Sequence, residues 1–305
     1  MYPNVHMPVT MTTPRCLDER GIVYVVGGND IDDGHTLVSK FHPIRGHWQT
    51  VPSMPDFNYR TSVSVLAGKL YVIGGMTHFE HSCKNTVHVY SPMTDEWRSG
   101  APMNAKRKDH ASCTVHDRIY VCGGSSDRNL LKTCEVFEAG DKWTYTRSMK
   151  TARRALAVVA FQGLVWVLGG YTGDRVINSV EVYYPQLDQW YDGPGMIRER
   201  AGHAAAALGE KLYVFGGQDS RRTVECCEVF YGGQFTALKK PMPIPSSQFA
   251  VAVSGRLIYC FCNFPRKDNK TQVYDTDMDE WSSGLSLKRH GISAAAVTIV
   301  PFTSS

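Results

Sequence analysis

Apolar and polar positions alternate in five stretches of the chain, and each stretch ends in two glycines. They read GIVYVVGGN (21–29), KLYVIGGM (69–76), RIYVCGGS (118–125), LVWVLGGY (164–171) and KLYVFGGQ (211–218). Alternation with β-branched and aromatic residues predicts strands. The second glycine falls at Gly28, Gly75, Gly124, Gly170 and Gly217, in steps of 47, 49, 46 and 47 residues. A further step of 46 reaches Asn263 in RLIYCFCN, a sixth copy whose glycines have become Cys262 and Asn263.

Three more columns keep the same period. The first is aromatic: Phe41, Tyr90, Phe137, Tyr183, Phe230 and Tyr274. The second is Trp48, Trp97, Trp143, Trp190 and Trp281, with Phe235 in the fifth copy. The third is Met54, Met103, Met149, Met196 and Met242, closed by Leu287. In the fifth copy GHAAAAL, KLYVFGG, TVECCEVFY and QFTAL read as four strands, A to D, separated by turn residues. No amphipathic helix of ten residues is present. A unit of 46–49 residues built only from short strands matches a propeller blade. The expected architecture is all-β: a six-bladed propeller with four antiparallel strands per blade, forming one domain over 1–305. Its repeats fall at about 14–54, 55–103, 104–149, 150–196, 197–242 and 243–287. KRHGISAAAVTIV (288–300) resembles the A segments but has no glycine pair after it, whereas TPRCLDER makes a poor strand before the first copy. The C-terminal strand is therefore expected to complete the first blade and close the ring.

Composition narrows the function. The net charge of +4 is mild and argues against nucleic acid as a partner. No apolar run approaches the ~18 residues of a membrane span, and MYPNVHMPVTMTTPR does not read as a secretion signal. Nine cysteines, an odd number in no disulfide or zinc spacing, point to free thiols and a cytoplasmic location. No cofactor or metal is expected. The turns TDEW, LDQW and MDEW lack the Asp-box pattern of sialidases, and no pairing of Cys and Tyr with two His suggests a copper radical site. A non-enzymatic binding module is the expectation.

A glycine pair after an apolar strand, then Tyr or Phe, then Trp, then Pro-Met resembles the kelch repeat; Pro102-Met103 and Pro241-Met242 keep the last element intact. The chain looks most like the propeller of the BTB–BACK–kelch (kelch-like) family. That resemblance implies the substrate-recognition domain of a cullin-RING ubiquitin-ligase adaptor. In such adaptors a BTB domain, not recognisable in these residues, dimerises and holds the cullin. The isolated propeller is then expected to be monomeric. Some kelch propellers instead bind actin filaments, and a cytoskeletal scaffold is the alternative.

A propeller places its chemistry on loops. The D–A connections carry Arg60, Lys106, Arg107, Lys108, Arg153, Arg154, Arg198, Arg200 and Arg289. The B–C loops, different in every copy, add Arg128, Arg175, Arg221, Arg222, Arg266 and Lys267. This basic set fits a mouth that grips an acidic peptide through arginine forks. Arg107, Arg153, Arg200 and Arg289 share one column, which fits equally with arginines that orient loops or satisfy backbone carbonyls. Two residues further on, the column varies: Arg60, Asp109, Ala155, Gly202, Gln248 and Gly291. In relatives this column and the one after the glycine pair (Asn29, Met76, Ser125, Tyr171, Gln218, Phe264) line the pocket. Tyr171 and Phe264 are candidate flat contacts, or else ordinary loop residues. His110 and His203 read as structural, and Cys260 and Cys262 as buried thiols. Cys83, beside His78, His81 and Lys84, is the candidate reactive thiol.

Overall fold

Each repeat folds into four antiparallel strands joined by tight turns, giving six four-stranded sheets. The computed structural model describes residues 21–29, 36–77, 81–138, 142–262, 270–286 and 295–299. Strands A to D of blade 2 are Ser62–Leu66, Lys69–Ile73, Val87–Ser91 and Glu96–Ser99. Those of blade 3 are Ala111–Val115, Arg118–Cys122, Cys134–Glu138 and Lys142–Tyr145. Blade 4 has Ala157–Phe161, Leu164–Leu168, Val180–Tyr184 and Gln189–Gly193. Blade 5 has Ala204–Leu208, Lys211–Phe215, Glu228–Tyr231 and Gln234–Ala237, and blade 6 has Ala250–Ser254, Leu257–Phe261, Lys270–Asp275 and Glu280–Ser286.

Blade 1 takes its strand A from the far end of the chain. Ala295–Ile299 pairs antiparallel with Ile22–Asn29, in the register Ile22 to Ile299 and Val26 to Ala295, and Thr36–His42 and His47–Thr50 complete the sheet. Each A strand packs on the A strand of the next blade, and the sixth meets the C-terminal strand, so the contacts close a circle. The A strands are small and hydroxylated where they meet: Ser64 Oγ donates to Ser112 Oγ at 2.8 Å, and Thr114 Oγ1 donates to the Val65 carbonyl at 2.7 Å.

The aromatic and tryptophan columns turn out to be one feature. Each aromatic on strand C stands directly opposite the Trp or Phe on strand D, with ring centroids 4.9–5.2 Å apart in all six blades. Such pairs add about 0.5–1.5 kcal/mol beyond the area they bury. The indole N–H then fastens the blade to the one before it. Trp97 donates to the Pro52 carbonyl at 2.7 Å, Trp143 to Ala101 at 2.9 Å and Trp190 to Arg147 at 2.7 Å. The methionines from Met54 to Met242 are buried between blades; Leu287 lies outside the described residues.

The glycine pair serves two steric demands, seen at Gly169 and Gly170. Both have positive φ, 54° and 104°, where a side chain is strained. A Cβ would also stand 2.5 Å from the Arg200 carbonyl at the first and 2.8 Å from the Arg154 carbonyl at the second. The D–A connections of two neighbouring blades thus rest on the pair. Strand C of blade 5 is shorter than TVECCEVFY suggested, beginning only at Glu228. Val224 N–H is committed to the Gly217 carbonyl, and the Cys226 carbonyl accepts from Arg200, so the segment before Glu228 follows the loop face.

Candidate partner-binding face

The two variable columns meet on the face formed by the D–A and B–C connections. In blades 2 to 5 the residue after the glycine pair is stitched by backbone bridges on both sides, as in Arg154 to Tyr171 to Val176 and Ala201 to Gln218 to Thr223. The other column lies beside this ladder in a left-handed conformation. Arg60, Asp109, Ala155 and Gln248 have φ of 59°, 53°, 51° and 56°, alongside Gly202 at 63°. That conformation, worth roughly 1–2 kcal/mol of strain at a non-glycine residue, is matched by hydrogen bonds running round the ring. Ala155 N–H donates to the Asp109 carbonyl at 2.8 Å, Gly202 to Ala155 at 2.7 Å and Gln248 to Gly202 at 2.7 Å. Side chains of this column are thereby held at the mouth of the tunnel by strained but satisfied backbone.

Arg60, Asp109 and Arg154 form a cluster there. Arg60 Nη1 donates to both carboxylate oxygens of Asp109, at 3.3 and 3.0 Å, and Arg154 Nη1 lies 3.8 Å from Oδ2. The side chains are 31%, 12% and 40% exposed for Arg60, Asp109 and Arg154. Each guanidinium also stands over a tyrosine, Arg154 5.3 Å from the Tyr171 ring centre and Arg60 5.9 Å from that of Tyr59. Tyr171 is half-buried and donates its hydroxyl to the Gly173 carbonyl. Gln218 and Gln248 are exposed. Phe264, Arg289, Arg266 and Lys267 lie outside the described residues.

Arg107, Arg153 and Arg200 require a correction: they do not belong to the mouth. All three are 0% exposed, and each is paired with a buried glutamate, Glu135, Glu181 or Glu228, at 2.9, 2.7 and 2.6 Å. Each guanidinium also donates to two backbone carbonyls, those of Gly169 and Ser179 for Arg153. The glutamate accepts in turn from two amides of the D–A connection, Lys150 and Thr151 for Glu181. A partner could reach these arginines only by unfolding the connection. Sequence reasoning missed the glutamates, which stand 28 residues downstream on strand C.

Cys83 is the second correction. It is 0% exposed, its thiol donates to the Ser125 carbonyl at 3.6 Å, and burial pushes its pKa up to about 12. A reactive thiol needs access and positive surroundings that favour the thiolate, and here desolvation outweighs the pull of Lys108. Cys260 and Cys262 are buried as expected. His110 and His203 are buried, and desolvation lowers both to a pKa of about 3; their rings lie under the glycine pairs as neutral packing groups. Among the described residues no group of three His, Cys, Asp or Glu could hold a metal ion, and no helix is long and apolar enough to cross a membrane. A cleft of about 540 Å³ opens on the opposite face between Lys211, Tyr231, Arg256 and Asp277. Its walls are hairpin turns and it gathers none of the variable columns.

Comparison with known proteins agrees with the geometry. Residues 11–217 match the family model described as the KLHDC2/KLHL20/DRC7 Kelch-repeats domain. Beta-scruin of Limulus polyphemus is 25% identical over 92% of this chain and 34% of its own length. Kelch-like protein 36 of Bos taurus is 26% identical over 83% of this chain and 44% of its own. Kelch-like protein 38 of Rattus norvegicus is 26% identical over 94% and 51% respectively. The chain thus spans about a third to a half of the length of these relatives. With glycine pairs, aromatic pairs and a closing C-terminal strand at the repeat's own spacing, the chain belongs to the kelch-repeat proteins, as a propeller of the kelch-like family.

Proposed function

We propose that the loop face captures a protein partner through an acidic segment, and that the chain does no chemistry of its own. The supporting observation is the contrast between frame and mouth. The frame repeats its contacts from blade to blade, whereas the residues held at the tunnel mouth differ among blades 2 to 6: Arg60, Asp109, Ala155, Gly202 and Gln248, beside Tyr171 and Gln218. A rigid ring with an irregular rim is suited to recognising one shape. Arginine and tyrosine are the side chains that most often carry such binding energy. In the full-length protein the corresponding role is substrate capture for a cullin-RING ubiquitin ligase. This finer reading is supported by the similarity to kelch-like proteins and requires a BTB domain elsewhere in the sequence. Cytoplasmic residence follows from the same reading.

The test is affinity capture with the wild-type chain, Arg60→Ala and Tyr171→Ala. A specific partner retained by the wild type and lost by both variants supports the receptor reading. Co-sedimentation with actin filaments that neither substitution alters supports a scaffold instead, and turnover of a small molecule by the purified chain rejects both.

A further inference from the structure

Among the described residues, the Arg60–Asp109–Arg154 cluster differs from the other arginine–carboxylate groups on this side of the ring; in the exposed Arg198–Asp219 pair a single guanidinium lies 3.8 Å from a carboxylate that also accepts from the Arg221 and Arg222 amides. The pairs of Arg107, Arg153 and Arg200 are buried, and their glutamates also hold backbone amides. Asp109 reaches across two blade boundaries to guanidiniums that are 31% and 40% exposed. Nothing in the backbone calls for an aspartate, because the same left-handed position is filled by Ala155 and Gly202 in the next two blades. The Nε of Arg60 is buried with no acceptor among the described residues, as are those of Arg153 and Arg200, so the difference lies in the exposed Nη groups and not in Nε.

We propose that Asp109 is a built-in competitor at this site. Its carboxylate occupies the place of a ligand oxyanion, and a partner's carboxylate or phosphate binds by taking the two guanidiniums from it. The inference rests on the acidic-partner reading above. Tyr59 and Tyr171 hold the guanidinium planes in place whether or not Asp109 is engaged, so the receiving geometry is formed in advance. A lone, singly charged side chain would merely exchange one partly buried ion pair for another of the same charge, with little net gain. A phosphate or a pair of adjacent carboxylates brings more charge and enough oxygens to engage both guanidiniums at once. Asp109 thereby sets a threshold of charge density that an occupant must exceed.

The experiment removes the competitor without disturbing the turn. Asparagine and glycine both accept positive φ, so Asp109→Asn and Asp109→Gly keep the backbone. Binding is read by fluorescence anisotropy with labelled peptides of equal length, one carrying paired glutamates, one phosphoserine, and one glutamine and serine in their place. Thermal stabilisation by inorganic phosphate is read in parallel. The expected result is acidic-peptide affinity about fivefold or more above wild type in both variants, and a larger rise in Tm with phosphate. Both gains should vanish when Arg60→Gln and Arg154→Gln are added. Whichever acidic peptide gains more identifies the natural oxyanion as carboxylate or phosphate. If the wild type binds acidic peptides and the two variants bind them no better, Asp109 merely positions the arginines and the inference fails alone. If every form binds the acidic and neutral peptides alike, the acidic-partner reading fails and takes the inference with it.

Discussion

At the scale of single residues, the arginines divide by what answers their charge. Arg153 is enclosed, with Glu181, Ser179 and the Gly169 carbonyl taking the donors of its two Nη groups, while Arg154, its neighbour in sequence, is 40% exposed at the mouth. Enclosure makes Arg153 structural. Arg153→Ala would leave Glu181 buried without its counter-charge, a loss of about 3–5 kcal/mol. Arg153→Met with Glu181→Leu should recover part of it, though not all, because the amides of Lys150 and Thr151 would then lack an acceptor. Urea midpoints of the two variants check this; Arg153→Ala with unchanged stability but lost partner binding would return the arginine to the binding surface. The arginine column was legible in the sequence, and its role was not, because the answering charge lies on another strand. The repeats carried the signal nonetheless. Copies with Arg107, Arg153 and Arg200 carry Glu135, Glu181 and Glu228, while those with Asn58 and Ser246 in the arginine column carry His88 and Gln272 in the glutamate column. The substituted blades use other contacts: His88 Nε2 lies 3.1 Å from Asp56, and Gln272 exchanges hydrogen bonds with the backbone of Ile244.

At the scale of the element, a strand's inward and outward faces follow from periodicity, so strands A, B and D were readable from their alternation and turns. The start of strand C in blade 5 was not. Thr223 to Cys226 have a strand-like composition, and the hydrogen bonds of the loop face, made with another part of the chain, hold them there instead. The glycine pair is where loop and sheet constrain each other most tightly. Gly170→Ala places a Cβ 2.8 Å from a backbone carbonyl at a φ of 104°, so strain and overlap add. Gly209, in the A–B turn of blade 5, has a φ of 59° and open space around it. Gly209→Ala should therefore cost about 1 kcal/mol and Gly170→Ala about 3 kcal/mol or more. Thermal melts of the two single variants decide the point; equal losses would mean that backbone conformation alone, and not the resting D–A connection, demands the pair.

At the scale of the whole molecule, stability depends on the ring being closed. Ala295, Val297 and Ile299 pack with Tyr24, Val26 and Val63 toward blade 2, and Ala296 packs with Val25 and Ala250 toward blade 6. One short strand thus seals two inter-blade cores and covers the edge of Ile22–Asn29 that would otherwise be open to pairing. Because every blade is held only by its two neighbours, loss of this strand turns a closed circle into an open array with two free ends. A chain ending at residue 294 should lose the single cooperative melt, with Tm lower by about 10 °C or more, and should self-associate in size-exclusion chromatography. A synthetic peptide of residues 288–300 should restore both properties when added in excess, since it supplies the missing strand without a covalent link. A truncated chain that stays monomeric and melts like the full one would show that the ring does not depend on its C-terminal strand. Restoration by the peptide, in contrast, would place the cost of opening in that one pairing. It would also explain how a mouth assembled from residues as far apart as Arg60 and Gln248 keeps a fixed geometry: each holds its place because the circle beneath them has no loose end.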